Sequence, residues 1–427
     1  MQVPGGAGRY RPVITEGNVW MTTSKLVRAA AGAALAWGMV VASLPASAAD
    51  TPGVTKTEIK FGNTDPYSGP ASAYGVLGKL EQVYFNKMVN DEGGIAGHKL
   101  NFISYDDGYS PPKTVEQIRR LVEQDKVAFT FNTLGTPTNS AIERYMNHKK
   151  VPQLFVATGA DKWGNYKEYP WTIGWQPSYR TEAQIYTKYM LKEVKDPKMA
   201  ILYQNDDFGK DYPHGVKDVL GNRYNKIVKE ATYEVTDPTI DSQITQLQAS
   251  GANVLLVAAT PKFAAQAIRK VHDLGWHPMF FMTNVSISVG AVMKPAGEAN
   301  AIGMISAEYL KDSTDPRWKD DAGMKQWRDF MNKYMPGADQ TDGGYIAAYG
   351  VSDTMLQVLK MCKGDFSRKH LMDVVTHLHN LSNPMLLPGI TINTSPTNYH
   401  PIKAMQLAKW DGHTFALFGE VIHGAGE

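Results

Sequence analysis

From Thr57 onward, short apolar runs alternate with longer segments whose apolar residues recur every three or four positions. The first series predicts strands over 59–62, 99–105, 127–131 and 153–157, with helices over 74–90, 112–124 and 137–148 between them. A second series predicts helices over 181–194, 209–220, 240–249 and 262–274, and strands over 199–203, 227–233, 254–258 and 279–282. Continuous or period-two apolar runs mark strands and a period near 3.6 marks helices. Their alternation predicts parallel strands with covering helices. Two series of comparable length predict two α/β domains of similar build instead of one oversized sheet. After Gly303 the pattern turns helical, over 324–334, 344–361 and 367–381, and from Ile390 it alternates again as β. No low-complexity linker separates the series, so strand-like crossings are expected between the domains.

The first 49 residues follow another pattern. The stretch "MTTSKLVRAAAGAALAWGMVVASLPASAAD" begins at Met21 with Lys25 and Arg28, continues through an Ala-rich apolar core and ends in small residues. It reads as a secretory signal peptide cleaved near Ala48 or Ala49. A membrane anchor needs about 20 apolar residues, and this run is shorter and broken by Pro45. The residues before Met21 lack this logic, so the expected translation start is Met21. No later segment is apolar enough to span a bilayer, and the mature chain is expected to be periplasmic.

Removing residues 1–49 takes away Arg9, Arg11, Lys25, Arg28 and Glu16, turning 44 basic and 42 acidic groups into 40 and 41. A balance this near neutral points to neither nucleic acid nor an anionic membrane surface as partner. The single cysteine, Cys362, excludes an internal disulfide and a cysteine-built metal centre, and no cysteine follows the cleavage site to take a lipid.

Ligands of open α/β sheets bind outside the carboxyl ends of the strands. Here those ends are the loops at 63–75, 106–111, 132–139, 157–163, 204–209, 258–261 and 283–286, rich in Gly, Ser, Thr, Asn and aromatics. Thr136 is predicted as a helix N-cap with Pro137 in the first helical position. It either only caps its helix or also holds an anionic oxygen at the positive helix end. Thr158 and Gly159 offer a hydroxyl and accessible backbone, or form a plain turn. Tyr74 opens a long helix, as packing or as ligand contact. The pairs Asp106-Asp107 and Asp206-Asp207 suit caps and turns better than acid–base work. The cluster Trp163, Tyr166, Tyr169, Trp171 and Trp175 fits core, hinge or pocket.

Templates for catalysis are missing: there is no G-x-S-x-G elbow, no phosphate loop and no H-E-x-x-H. His370, His377 and His379 do not converge on one helix face. No enzyme activity, metal or cofactor is expected.

The segment "VNDEGGIAGHKLNFISYDDGYSPPKTVEQIRRLV", followed by "AILYQN" with "DDFGKD" and by "IRKVHDLGW", resembles the leucine/isoleucine/valine-binding proteins. These are periplasmic components of the branched-chain amino acid class of ABC transporters. The resemblance covers nearly all of 57–420 in element order. It implies a type I periplasmic binding protein, with two Rossmann-like domains joined by three crossings near Trp175, Ser306 and Leu387. The lobes expected are 50–175 plus 306–386 and 176–305 plus 387–427. The resemblance further implies a small-molecule carboxylate held by Thr136 and by Ala157, Thr158 and Gly159, with Tyr74 and Phe208 flanking it. A cognate inner-membrane permease and ATPase are the implied partners, and the implied state is a monomer.

One departure bears on the ligand. Amino-acid binders of this family place an acidic residue after the strand that here reads "MFFM", to pair with the α-ammonium; Val285 stands there, beside Asn284. A buried unpaired ammonium costs several kcal/mol. Unless Asp161, Asp206 or Asp207 substitutes, the expected solute is a carboxylate without the amine. Phe208, Tyr74 and Trp163 favour an aromatic one, with Thr260 and Asn284 able to meet a distal hydroxyl. The alternatives are an aliphatic amino-acid binder on the same fold, separated by its dependence on the ammonium, and a ligand-sensing subunit for a membrane receptor. An exported hydrolase using Ser68 or Ser72 lacks a histidine partner at recognisable spacing.

Overall fold

A computed structural model describes residues 51–424. The export segment expected over 1–49 lies outside the described residues.

The first sheet contains β1 (Glu58–Asp65), β2 (Lys99–Asp106), β3 (Thr130–Phe131), β4 (Gln153–Val156) and β5 (Thr172–Gly174), in the order β2-β1-β3-β4-β5. All pairs are parallel, with Glu58 opposite Lys99, Gly62 opposite Thr130 and Phe131 opposite Leu154. β1 carries Phe61 into an aromatic nucleus with Phe85, Phe102 and Phe129, whose ring centroids lie 5.0, 5.2 and 4.8 Å away. Such rings bury large apolar area and pair at these separations. Here they pin the first helix, which starts at Val76, onto the sheet.

The second sheet contains β6 (Met199–Gln204), β7 (Val228–Tyr233), β8 (Val254–Ala258), β9 (Met279–Met282), β10 (Ile305–Glu308), β11 (Ala404–Trp410) and β12 (Phe415–His423). Its order is β12-β11-β10-β9-β8-β6-β7; β6 to β10 pair in parallel, and β11 runs antiparallel to both β10 and β12. All of β8 is buried, as a central parallel strand with both faces covered must be. Helices Ala322–Tyr334 and Gly343–Met361 follow β10 and belong to the first sheet's layer, where Gly343–Met361 packs on Val76–Val83.

Both sheets reverse their strand order beside their first strand, between β1 and β3 and between β6 and β8. Crevices of this kind are where doubly wound sheets take ligands. The chain passes between the layers after β5, after β10 and before β11. Leu387 runs beside the second passage, its N–H donating to the Tyr309 carbonyl at 3.0 Å, before the chain returns to the first layer, where Ile392 pairs with Leu381 and Tyr399 donates to the Pro170 carbonyl. At the first passage, the Trp175 indole stacks edge-on against Tyr309 and donates to Thr354 Oγ1 at 3.1 Å.

Several expectations need correction. Ser306 lies inside β10, opposite Ala408, and the chain leaves the second sheet just after it; the purely helical reading after Gly303 overlooks this four-residue strand. β3 has two residues, not the five of the apolar run over 127–131. Helix Arg368–Val375 ends well before Leu381, since Leu378 N–H turns to Thr394 and Leu381 pairs with Ile392.

Candidate functional site

The loops after the two strand reversals face each other across a cavity of about 1140 Å³, counting the part open to solvent. From the first layer Tyr74, Tyr109, Thr136 and Thr158 line it. From the second come Phe208, Thr260, Asn284 and Val285. Ala157 is also in the wall.

Helix Thr136–Lys149 begins one residue earlier than the sequence predicts. Its N-cap is Gly135, with φ of 97°, and Pro137 is the second helical residue. Thr136 is therefore not the cap, and its hydroxyl is free for another use. It lies 2.6 Å from Thr158 Oγ1. Thr158 Oγ1 in turn accepts the Ala160 N–H at 3.2 Å and the Trp163 indole N–H at 3.3 Å. A threonine hydroxyl has one proton and two lone pairs. The Thr158 proton has two acceptors within reach, Thr136 Oγ1 and the Tyr179 hydroxyl, so either threonine can be the donor of the pair that stands in the cavity wall. The N–H groups of the helix's first turn, which have no partner within a helix, add to the same positive patch.

Gly135 is required here: its positive φ favours glycine, and a Cβ would meet Tyr109 Cε2 at 2.5 Å and Thr138 Oγ1 at 2.7 Å. Two expected residues lie outside the wall. Trp163 is buried behind it, acting on the cavity only through Thr158. Gly159 is absent from the lining; its carbonyl accepts the Tyr179 N–H at 2.8 Å and a Cβ there would run into the Pro177 carbonyl oxygen and the Tyr179 ring, so it packs on the crossing segment.

On the opposite wall, Asn284 is fixed from behind by Glu182, a residue the sequence reading missed. Glu182 is fully buried and accepts from Asn284 N at 2.8 Å, Asn284 Nδ2 at 2.7 Å, Tyr186 Oη at 2.5 Å and Tyr212 Oη at 2.8 Å. Burial pushes its carboxyl up to about 7, against the pull of these four donors. Glu182 holds one of the two Asn284 side-chain N–H bonds and fixes the group, leaving the other N–H and Oδ1 on the cavity side. Thr260 caps helix Pro261–Asp273, and its own N–H is taken by the Tyr233 hydroxyl at 3.0 Å.

The two walls touch. Tyr74 Oη donates to the Val285 carbonyl at 3.0 Å. At one rim Lys294 reaches Thr341 Oγ1 at 2.7 Å and Ser288 reaches Asp342 at 2.8 Å. At the other rim the Asp161 N–H reaches Asp211 Oδ2 at 2.7 Å and Lys162 reaches Asp207 at 3.4 Å. The lobes are thus closed on each other. Asp161, Asp206 and Asp207 are not in the cavity lining: Asp206 caps helix Asp207–Leu220, accepting from Phe208 and Gly209 N–H, and the other two work at the rim. Tyr109, Tyr179 and Tyr309 line the cavity without having been singled out, although Tyr109 sits in the 106–111 loop that the strand-end rule marks. Among the described residues no group of three or more His, Cys, Asp or Glu is placed to hold a metal ion.

A family profile described as periplasmic binding protein matches residues 58–414. The chain belongs to that family. Its architecture is the type I arrangement of the branched-chain amino acid group, a solute-binding fold and not a catalytic one. A Leu/Ile/Val-binding protein homolog of Brucella melitensis is 24% identical over 229 residues, which are 51% of this chain and 59% of that relative's length. A branched-chain amino acid ABC transporter protein of Thermus thermophilus, solved with bound valine, matches with a TM-score of 0.76 at 14% identity, covering 87% of this chain and 98% of that one. A solute-binding protein of an ABC transporter of Rhodopseudomonas palustris, solved with p-hydroxybenzoic acid, matches with a TM-score of 0.71 at 17% identity, covering 86% and 97%. Such similarity establishes the fold shared with these proteins. No helix among the described residues is long and apolar enough to cross a membrane.

Proposed function

We propose that this periplasmic binding protein is the exported solute receptor of an ABC importer, handing its cargo to an inner-membrane permease and ATPase, and that the cargo is an aromatic carboxylic acid without an α-amine. The observation that carries the reading is the hydroxyl pair Thr136–Thr158 at a helix start, set in the wall of a cavity that Tyr74, Tyr109, Phe208 and Tyr179 also line. A hydroxyl donor at a helix start suits a carboxylate, and aromatic walls suit a ring. Val285 supports the same reading, because its side chain cannot pair with an ammonium. The Rhodopseudomonas relative with p-hydroxybenzoic acid is a precedent for such cargo on this fold. Ala157 contributes backbone to the carboxylate end, and Thr260 and Asn284 Oδ1 lie across the cleft from it.

The test is a thermal-shift screen of residues 50–427, unfolded and refolded to strip carried ligand, against leucine, valine, phenylalanine, and benzoate-type and cinnamate-type acids. A ligand present at 100 times its dissociation constant adds about 2.7 kcal/mol, a clear rise in midpoint. Shifts with aromatic acids alone support the reading. A shift with leucine alone overturns it.

A further inference from the structure

One carboxyl group in the cavity wall has no role in the site described above. Glu308, the last residue of β10, stands where the chain leaves the second layer and lines the cavity. Among the described residues its carboxyl makes no hydrogen bond and no ion pair. The nearby cation in the wall, Lys311, is committed elsewhere: its ammonium donates to Asp321 Oδ1 and to the Pro384 carbonyl, both at 2.8 Å. The other acids of this wall are satisfied. Asp312 accepts from Thr314, Thr414 and the Phe415 N–H, and Asp342 from Ser288 and the Gly344 N–H. Among the acids lining the cavity, Glu308 alone has its hydrogen-bonding capacity unused.

Burial opposes its ionisation first, and the charges of Asp312 and Glu182 oppose it further, holding it well above the usual carboxylate range. A carboxyl accepts a hydroxyl proton whether or not it carries its own, and when protonated it also donates, so a hydroxyl is matched in either state.

We propose that Glu308 selects solutes bearing a hydroxyl in addition to the carboxylate held at Thr136. This deepens the aromatic-acid reading and rests on it: the cargo becomes a hydroxylated aromatic acid.

Calorimetric titration of refolded wild type, Glu308→Leu and Glu308→Gln tests this, with benzoate, 3- and 4-hydroxybenzoate and 4-(aminomethyl)benzoate as probes. Wild type is expected to bind one of the hydroxybenzoates about tenfold more tightly than benzoate, the scale of one well-made hydrogen bond. That ratio falls to about one in Glu308→Leu and is largely kept in Glu308→Gln, since a glutamine amide also gives and accepts. Equal binding of benzoate and both hydroxybenzoates by wild type overturns the role of Glu308 and leaves the aromatic reading standing. A hydroxyl preference that survives in Glu308→Leu does the same. Tightest binding of the aminomethyl compound, lost in Glu308→Gln, makes Glu308 a cation partner and overturns the proposal even if Glu308→Leu fails to fold. Silence toward all four probes while leucine binds overturns the aromatic reading itself, and the hydroxyl role with it.

Discussion

Thr136 Oγ1 lies 2.6 Å from Thr158 Oγ1, which also accepts the Ala160 N–H and the Trp163 indole N–H. A tryptophan that never reaches the cavity thereby orients a hydroxyl in its wall.

Thr136→Val keeps the shape and removes the hydroxyl. Hydrogen bonds to charged groups contribute about 1.5–3 kcal/mol, so affinity for a carboxylate ligand is expected to fall about 10- to 100-fold by calorimetry. Thr136→Ser should retain most of the binding. Trp163→Phe removes the indole donor that orients Thr158, giving a loss in the same direction but smaller. Unchanged affinity in Thr136→Val would remove Thr136 from the site.

Gly135→Ala adds a Cβ at a φ of 97° that collides with Tyr109 and Thr138. The strain is about 1 kcal/mol or more. It falls on a cavity-lining tyrosine and on the helix start together. Lower thermal midpoint and weaker ligand binding are therefore expected in the same variant, whereas a purely local loop strain would lower the midpoint alone.

Tyr74→Phe removes the hydrogen bond from Tyr74 to the Val285 carbonyl that joins the two walls at the cavity. The ligand-free protein should spend more time open, read as a larger radius of gyration in solution scattering, with ligand restoring the compact value. A neutral hydrogen bond contributes about 1 kcal/mol, so affinity should drop about fivefold.

Asp211 gives a pH dependence with a definite sign. Burial, followed by the charges of Asp161 and Asp207, pushes its carboxyl from 3.8 up to about 7, against the Asp161 N–H and Arg180. Between those values the folded chain holds a proton that the unfolded chain has released. Its contribution to stability is full below about 4 and is lost as pH rises through about 7. Asp211→Asn keeps the acceptor for the Asp161 N–H and removes the titration, so the drop in unfolding midpoint from pH 5 to pH 8 should shrink. An unchanged drop would show that Asp211 titrates normally.

The alternation of apolar runs and amphipathic segments was enough to read two α/β layers, because parallel strands buried on both faces leave long unmixed apolar runs such as 254–258. The strand-end rule then marked the loops carrying Tyr74, Thr136, Thr158, Phe208, Thr260 and Asn284, all of which meet at one cavity. What could not be read depends on contacts distant in sequence. Glu182 lies in the first turn of an ordinary amphipathic helix, and nothing near it signals that Asn284 will settle on its carboxylate 102 positions later. Glu308 ends a strand too short to stand out between Gly303 and the helices that follow. Trp163 drew notice as an aromatic, but its working atom is the indole N–H, and its partner is visible only in three dimensions.

The central claim is that the cleft takes a ring-bearing carboxylate that lacks an α-ammonium. Phenylalanine and 3-phenylpropionate share ring, chain length and carboxylate and differ only in that group. Calorimetric titration of the refolded protein with both compares them directly. The account predicts that 3-phenylpropionate binds at least about tenfold more tightly, the minimum cost of burying an ammonium without its partner. Tighter binding of phenylalanine would contradict it, and would make Glu308 the first residue to test as the ammonium's partner.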